Sequence, residues 1–216
     1  ELMAVLSGED PRGMPGSLHL LGHDLAGTSP RQRRQLGLHA VPEERLGRGA
    51  VPTLSLADNT LLTRAEALGR GGWLHRRRMR TMAQALIARF QVKASGADAL
   101  ARSLSGGNLQ KFIVGREIDA GPRVLLVSQP TWGVDVGAAA QIRAELLRLR
   151  DQGCAIVVVS EELDELFELT DRLHVIARGR LSPSVATSEA SVETIGQRMS
   201  GLWPGGPAQE HAHAAA

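Results

Sequence analysis

Tyrosine is missing from this chain of 216 residues, and aromatic residues of all kinds make up only 3% of it. A core without large rings has to be built from Leu, Val, Ile and Ala, and such small aliphatic side chains suit the interior of a parallel sheet. Cysteine is almost absent as well. The lone Cys154 excludes an internal disulfide and fits a reducing, cytosolic compartment, where a buried thiol packs as a small apolar group. No apolar run approaches the roughly 20 residues that cross a bilayer. Residues 1–20 also lack the layout of a secretion signal, so a membrane role has to come through a partner. The formal charge of +2 is too small to imply a nucleic-acid partner. Basic residues gather in two places, Arg31, Arg33 and Arg34, and then Arg70, His75, Arg76, Arg77, Arg78 and Arg80. Both runs read as solvated helix faces, the second with the option of meeting an acidic partner surface or lipid headgroups.

What is present suffices for one packed domain with a smaller lobe. Leu2, Met3, Ala4 and Leu6 have helical apolar spacing with no N-cap before them, so the chain is expected to start inside an element. A strand is expected at 17–21. Ser29-Pro30 should open a short helix over 31–36, and a second strand at 38–41 should stop at Pro42. Residues 43–51 are charged and glycine-rich, which marks a loop. From about 54 to 103 the character is helical. Asp58 or Ser55 serves as a cap, Gly69-Arg70-Gly71-Gly72 is a break, and Met79, Met82, Leu86, Ile87 and Phe90 form a core-facing stripe. After Leu104 strands and helices alternate. The runs 123–127 and 155–159 read as central parallel strands covered on both faces. Asp135 caps the helix between them, with Ile142, Leu146 and Leu149 on one face and Gly153 as its stop. A further helix is expected at 162–170 with Leu163, Leu166 and Phe167 inward, then a hairpin about Arg178-Gly179-Arg180. The tail after Gly201 has nothing to pack and is expected to be disordered.

The chemistry gathers at Leu104-Ser105-Gly106-Gly107-Asn108. A hydroxyl and two side-chain-free residues precede a helix whose free N–H groups and positive dipole end attract an anion. Glycine matters because a phosphate oxygen reaches the backbone N–H groups only where no Cβ intervenes. These five residues alone fit an ordinary helix cap equally well. The Gln110, Lys111 and Gly115-Arg116-Glu117 that follow, and then a buried strand at the right distance, favour a grip on a nucleotide phosphate. His19, His23, His39, His75 and His174 show no ligand spacing with Cys or acids, and no metal site of the chain's own is expected.

With these pieces in order, the chain resembles the ABC-transporter ATPases over nearly all of its length. Residues 104–110 are similar to their signature motif and 124–129 to their Walker B strand. Pro130-Thr131-Trp132-Gly133-Val134-Asp135 is similar to the Pro-Thr and D-loop, and 54–103 to the helical subdomain inserted before the signature. LSGGNLQK, GREI and QPTWGVDVGA most resemble the second, C-terminal half of the tandem ATP-binding subunits of simple-sugar and nucleoside importers. The resemblance implies an α/β, P-loop NTPase-like core with a central, mostly parallel sheet and an inserted helical subdomain, lacking its first strands and phosphate loop. It implies a partial core at 1–53, the helical subdomain at 54–103, a core with signature, Walker B, D-loop and switch at 104–183, and a C-terminal helix and tail at 184–216.

The departures are as informative as the matches. No Gly-x-x-x-x-Gly-Lys-Ser/Thr loop occurs in the sequence, and Glu1-Leu2 resembles the start of the helix that follows that loop. Ser128-Gln129 stands where Asp-Glu would hold magnesium and accept a proton from attacking water. Glu161 follows Ser160 where the family has a histidine near the γ-phosphate, and Glu43 is the nearest match to the Q-loop glutamine. The resemblance therefore implies a chain with no catalytic residue of its own. Ser105, Gly106, Gly107, Asn108 and Gln110 would bind the ATP and Mg2+ of another cassette in trans, Asp135 would couple the two sites, and the Walker B and switch positions would be degenerate. Implied partners are the N-terminal nucleotide-binding domain of the same subunit, transmembrane permease subunits and, indirectly, a solute-binding protein. Nucleic acid is not among them, and the setting is the cytoplasmic face of the membrane. Two other functions fit the motifs: a non-transport ABC-type ATPase, which should bring coiled-coil insertions or a basic linker, and a catalytically inactive partner-binding module using the basic run near Arg76.

Overall fold

The first element is a short helix, α1 (Leu2–Ser7), which ends where Gly8 turns left-handed at φ 84°. The computed structural model describes residues 1–12, 18–64, 69–70 and 73–204. Strands β1 (His19–Leu20) and β2 (His23–Asp24) pair antiparallel, shorter than the strand expected at 17–21, of which Ser17 lies outside the described residues. Helix α2 (Pro30–Gln35) starts as the sequence predicts: Ser29 accepts from the Gln32 N–H, the Gln32 side chain accepts from the Ser29 N–H, and Pro30 takes the first position. Strand β3 (Leu38–Val41) follows.

The basic run on α2 is a solvated face only in part: Arg31 is exposed and Arg34 partly so, but Arg33 turns inward. Arg33 is buried, and its guanidinium donates to the carbonyls of Val5, Leu6 and Leu25 and to the Thr28 hydroxyl, which closes the C-terminal end of α1. The lesson is physical: a guanidinium with five donors in a fork can satisfy a helix end from inside the protein.

Helix α3 (Leu56–Asn59) is capped by Ser55, whose hydroxyl accepts from the Asp58 N–H. Strands β4 (Gly69–Arg70) and β5 (Trp73–Leu74) form a small antiparallel pair at the break expected about 69–72, of which 71–72 lie outside the described residues. Helix α4 (Arg76–Arg89) buries Met79 and Ala83 against Ala57 and Ala97 and also buries Leu86, while Arg76, Arg77, Arg78 and Arg80 stay in solvent as expected.

Helix α5 (Gly106–Asp119) and helix α6 (Val136–Asp151) bracket strand β6 (Val124–Ser128), and α6 leads into strand β7 (Ala155–Val159). The sheet is parallel in the order β3-β6-β7. Central β6 is covered as expected, with Leu125, Leu126 and Val127 buried. The expectation fails for β7. It is an edge strand among the described residues, pairs on one side only, and leaves Val157 41% exposed. Continuous β-branched composition reports strand propensity but not how many neighbours a strand has. Cys154, just before β7, is buried, and burial pushes its thiol pKa up.

The chain divides into two compact units, Glu1–Val159 and Ser160–Ala216, so residues 54–103 belong to the same unit as the sheet. The second unit contains helix α7 (Leu163–Leu169), strands β8 (Arg172–Leu173), β9 (Ile176–Ala177), β10 (Arg180–Leu181) and β11 (Val185–Ala186), and helix α8 (Val192–Met199). Strands β9 and β10 form the expected hairpin, with Arg178 at φ 50° and Gly179 at φ 76° in its turn. Strand β11 pairs with β8, and Leu163, Leu166 and Phe167 pack on a core of Leu173, Val175 and Ile195. The expected tail falls largely outside the described residues, but Trp203, within them, is buried.

Helix α5 passes so close to α4 that a side chain at Gly115 has no room: an added Cβ would sit 2.4 Å from the Phe90 ring, itself buried. Gly115→Ala is expected to destabilise the fold by about 2–3 kcal/mol through overpacking, lowering the melting temperature by roughly 5–10 °C. Thermal melts of the two proteins check this, and an unchanged melting temperature would contradict the packing.

Candidate functional site

The N-terminal end of α5 is built to leave its donors outward. Ser105 is the N-cap, with φ −64° and ψ 155°, but its hydroxyl accepts no backbone N–H of the first turn. Instead Oγ accepts from Asn108 Nδ2 at 2.8 Å, and Asn108 Oδ1 accepts from the Lys93 N–H at 2.7 Å. The Asn108 side chain therefore pins the serine rotor, and because Oγ is already an acceptor, its own proton is left to donate outward. Ser105 and Gly106 are exposed, and the first-turn N–H groups have no side-chain cap. An uncapped, exposed helix start of this kind can accept an anion.

The loop that ends in Asp135 meets it directly. Asp135 caps α6 by accepting from the Ala138 N–H at 2.9 Å. That bond leads the causes that lower its pKa, with Lys111 and the Gly137 N–H assisting, so the carboxylate stays ionised. A Cβ on Gly107 would lie 3.2 Å from Asp135 Oδ2, so the two helix starts touch through a glycine. Around them Trp132 is 55% and Val136 83% exposed, apolar surface of the kind that marks an interface.

Gln110 is not with them. It is 1% exposed, its Nε2 donates to the Pro130 carbonyl at 3.0 Å, and its Oε1 accepts from Arg45 Nε at 3.1 Å. Its place is a strut that ties α5 to the loop after β6. Arg45 was not singled out from the sequence; its signal was only its position in the charged loop after β3, where Glu43 drew the assignment. Glu43 is exposed, whereas the Arg45 guanidinium lies over the signature, 2.8 Å from where a Gly106 Cβ would stand.

Ser128 and Gln129 are both buried at the end of β6. Gln129 holds a left-handed backbone, φ 49°, and its N–H donates to the Val159 carbonyl at 2.7 Å. A hydroxyl and a carboxamide bring no negative charge, so the pair does not fit the role of holding Mg2+ and activating water. Glu161 is exposed in the second unit, beside the Ser160 hydroxyl that accepts from the Glu162 N–H.

Behind the signature lies a buried ionic network. Glu117, 0% exposed, accepts from Arg116 Nε at 2.7 Å, Thr63 Oγ1 at 2.7 Å and His39 Nδ1 at 2.9 Å. The remaining guanidinium nitrogens of Arg116 donate to the carbonyls of Asn59 and Gly49. Burial would push the Glu117 pKa up, but Arg116, His39 and Thr63 outweigh it and hold it down to about 2. One network thus joins α5, β3 and the start of the helical segment.

The solved structures similar to this chain include a dimeric post-hydrolysis state of the ATP-binding cassette MJ0796 bound to ADP and Pi. It matches at a TM-score of 0.70 and 16% identity over 86% of this chain and 79% of that one. The cassette MJ1267 matches at 0.68 and 18% over 92% and 78%. The fold is that of an ATP-binding cassette. No protein-family model matches the sequence of the cassette. Similar curated proteins are the glucose import ATP-binding protein of Haloferax volcanii, 40% identical over 190 residues, and the guanosine import ATP-binding protein of Bacillus subtilis, 36% over 188. Each match covers 86% of the cassette but 34% and 37% of the relative, so the cassette spans about a third of the length of the curated relatives it matches.

Proposed function

We propose that the cassette is the C-terminal ATP-binding half of an importer for simple sugars or nucleosides. In this reading it supplies its signature in trans to an ATP site on the N-terminal half, while its own site does not turn over. The observation that carries the reading is the contrast between two sites on one chain. Ser105 and Gly106 form an exposed, uncapped helix end, with Asn108 holding the serine and buried Gly107 against Asp135, whereas Ser128 and Gln129 are buried and carry no acid. The names of the relatives support the importer and the solute class.

The γ-phosphate of ATP, with its Mg2+ held by the facing half, would meet the Ser105 hydroxyl and the first N–H groups of α5. Asn108 fixes the hydroxyl, Gln110 and Arg45 brace the helix start, and Asp135 reaches across to link the sites. Exposed Trp132 and Val136 extend that interface. Glu161 and Glu43 occupy switch and Q-loop positions without the chemistry of either. Residues 54–103 would face the permease at the cytoplasmic side of the membrane, with a solute-binding protein beyond it.

The test is ATP turnover by the assembled importer carrying Ser105→Arg, which should nearly disappear. The complementary expectation is that Gln129→Ala leaves turnover within about threefold, since a carboxamide cannot serve as the base. A loss of most activity in Gln129→Ala would show that the Ser128-Gln129 site is in use.

A further inference from the structure

A second polar feature of the first unit lies apart from the signature and D-loop. A cavity of about 40 Å³ is bounded by Ser7, Arg34, Arg48, Thr63 and Arg116, with Glu9 and Arg48 exposed at its rim. Three guanidinium groups line it, and two are matched. Arg48 pairs with Glu9, and Arg116 pairs with Glu117 and donates to two carbonyls. Arg34, on α2, makes no side-chain hydrogen bond or ion pair among the described residues, and its side chain is partly buried. Burial is the main force lowering its pKa, and Arg116 adds repulsion. The nearby attraction comes from Glu117, whose oxygens are already engaged by Arg116, His39 and Thr63. Of the arginines around the cavity, Arg34 is therefore the one without a directly bonded counter-charge among the described residues, and a partly buried cation gains from one that enters.

We infer that this cavity binds a single carboxylate group, gripped by the Arg34 guanidinium. The planar fork of an arginine matches the two oxygens of a carboxylate with parallel N–H donors. Size narrows the class further. One water needs about 10–15 Å³ of such volume, so the cavity takes roughly three heavy atoms, which is a carboxylate and not a phosphate ester or a nucleotide. The inference does not depend on the transport reading, because none of these residues belongs to the signature or the D-loop.

The experiment melts the full chain in sodium formate and in sodium chloride at equal ionic strength. The unmodified chain should melt about 3 °C higher in formate, as expected for a ligand that binds only the folded state. Arg34→Gln should gain nothing from formate. Arg31→Gln, exposed on the same helix, should keep the formate shift. Loss of the formate shift from the unmodified chain, its persistence in Arg34→Gln, or an equal shift in phosphate would each overturn the assignment. Should Arg34→Gln fail to fold, titration of isotope-labelled formate into the unmodified chain decides by NMR: saturable binding supports the site, and its absence overturns it.

Discussion

ATP turnover by an importer carrying Ser105→Arg is expected to fall by at least about 100-fold, the scale on which one preorganised donor to a developing charge matters. The reason lies in the local geometry. Ser105 Oγ accepts from Asn108, which leaves its own proton to donate elsewhere, and Gly106 beside it is exposed and carries no side chain. Arginine at this position removes the donor and places a long side chain across the helix end where a γ-phosphate would sit. Little of the loss should come from misfolding, because Ser105 is exposed and caps no backbone N–H of α5 through its side chain. Ser105→Ala, which removes the donor without the bulk, should lose less, roughly tenfold to 100-fold. Steady-state turnover, with melting temperatures as a folding control, checks both. Turnover within twofold of normal in Ser105→Arg would show that this helix end does not face a nucleotide.

Much of this arrangement was legible in the sequence because it rests on local rules. Ser29 with Pro30 and Gln32 announces the start of α2, Asp135 announces the start of α6, and the apolar runs give β3, β6 and β7 within a residue or so. What was illegible depends on neighbours distant in sequence. Nothing in VVV tells whether a strand is central or at an edge, so the sequence alone reads β7 as covered. Nothing in RQRR says that Arg33 turns inward to close α1, or that Arg34 faces a cavity, because charge patterning reports average behaviour and not the carbonyls that wait 27 and 28 residues away. Gln110 closes the signature-like stretch and so reads as nucleotide-facing, yet a helix turns about 100° per residue and carries it to the buried face. Arg45 was passed over because its role exists only once β3 and α5 are brought together. The motifs were readable as motifs, while the struts that support them were not.

The largest stability effect is expected at Glu117. It is fully buried and makes three side-chain hydrogen bonds, and it is the only acid that Arg116 contacts among the described residues. Glu117→Ala removes the counter-charge but leaves the guanidinium of Arg116 buried, a change that typically costs about 3–5 kcal/mol and here should lower the melting temperature by roughly 10 °C or more. The pH dependence gives an independent reading. The Glu117 carboxyl titrates at about 2 in the folded chain against an ordinary 4.5, so the folded state binds its proton less readily than the unfolded state does. The stabilisation this provides, about 3 kcal/mol, is complete above the ordinary value and disappears as pH falls through the window from about 4.5 to 2. Glu117→Gln has no such titration, so its stability should be lower at neutral pH and should change less across that window. Denaturant unfolding of both chains at a series of pH values measures the difference. Parallel pH profiles, or a Glu117→Ala loss below about 1 kcal/mol, would mean that the α5 helix is held to β3 and the helical segment by packing alone and not by this network.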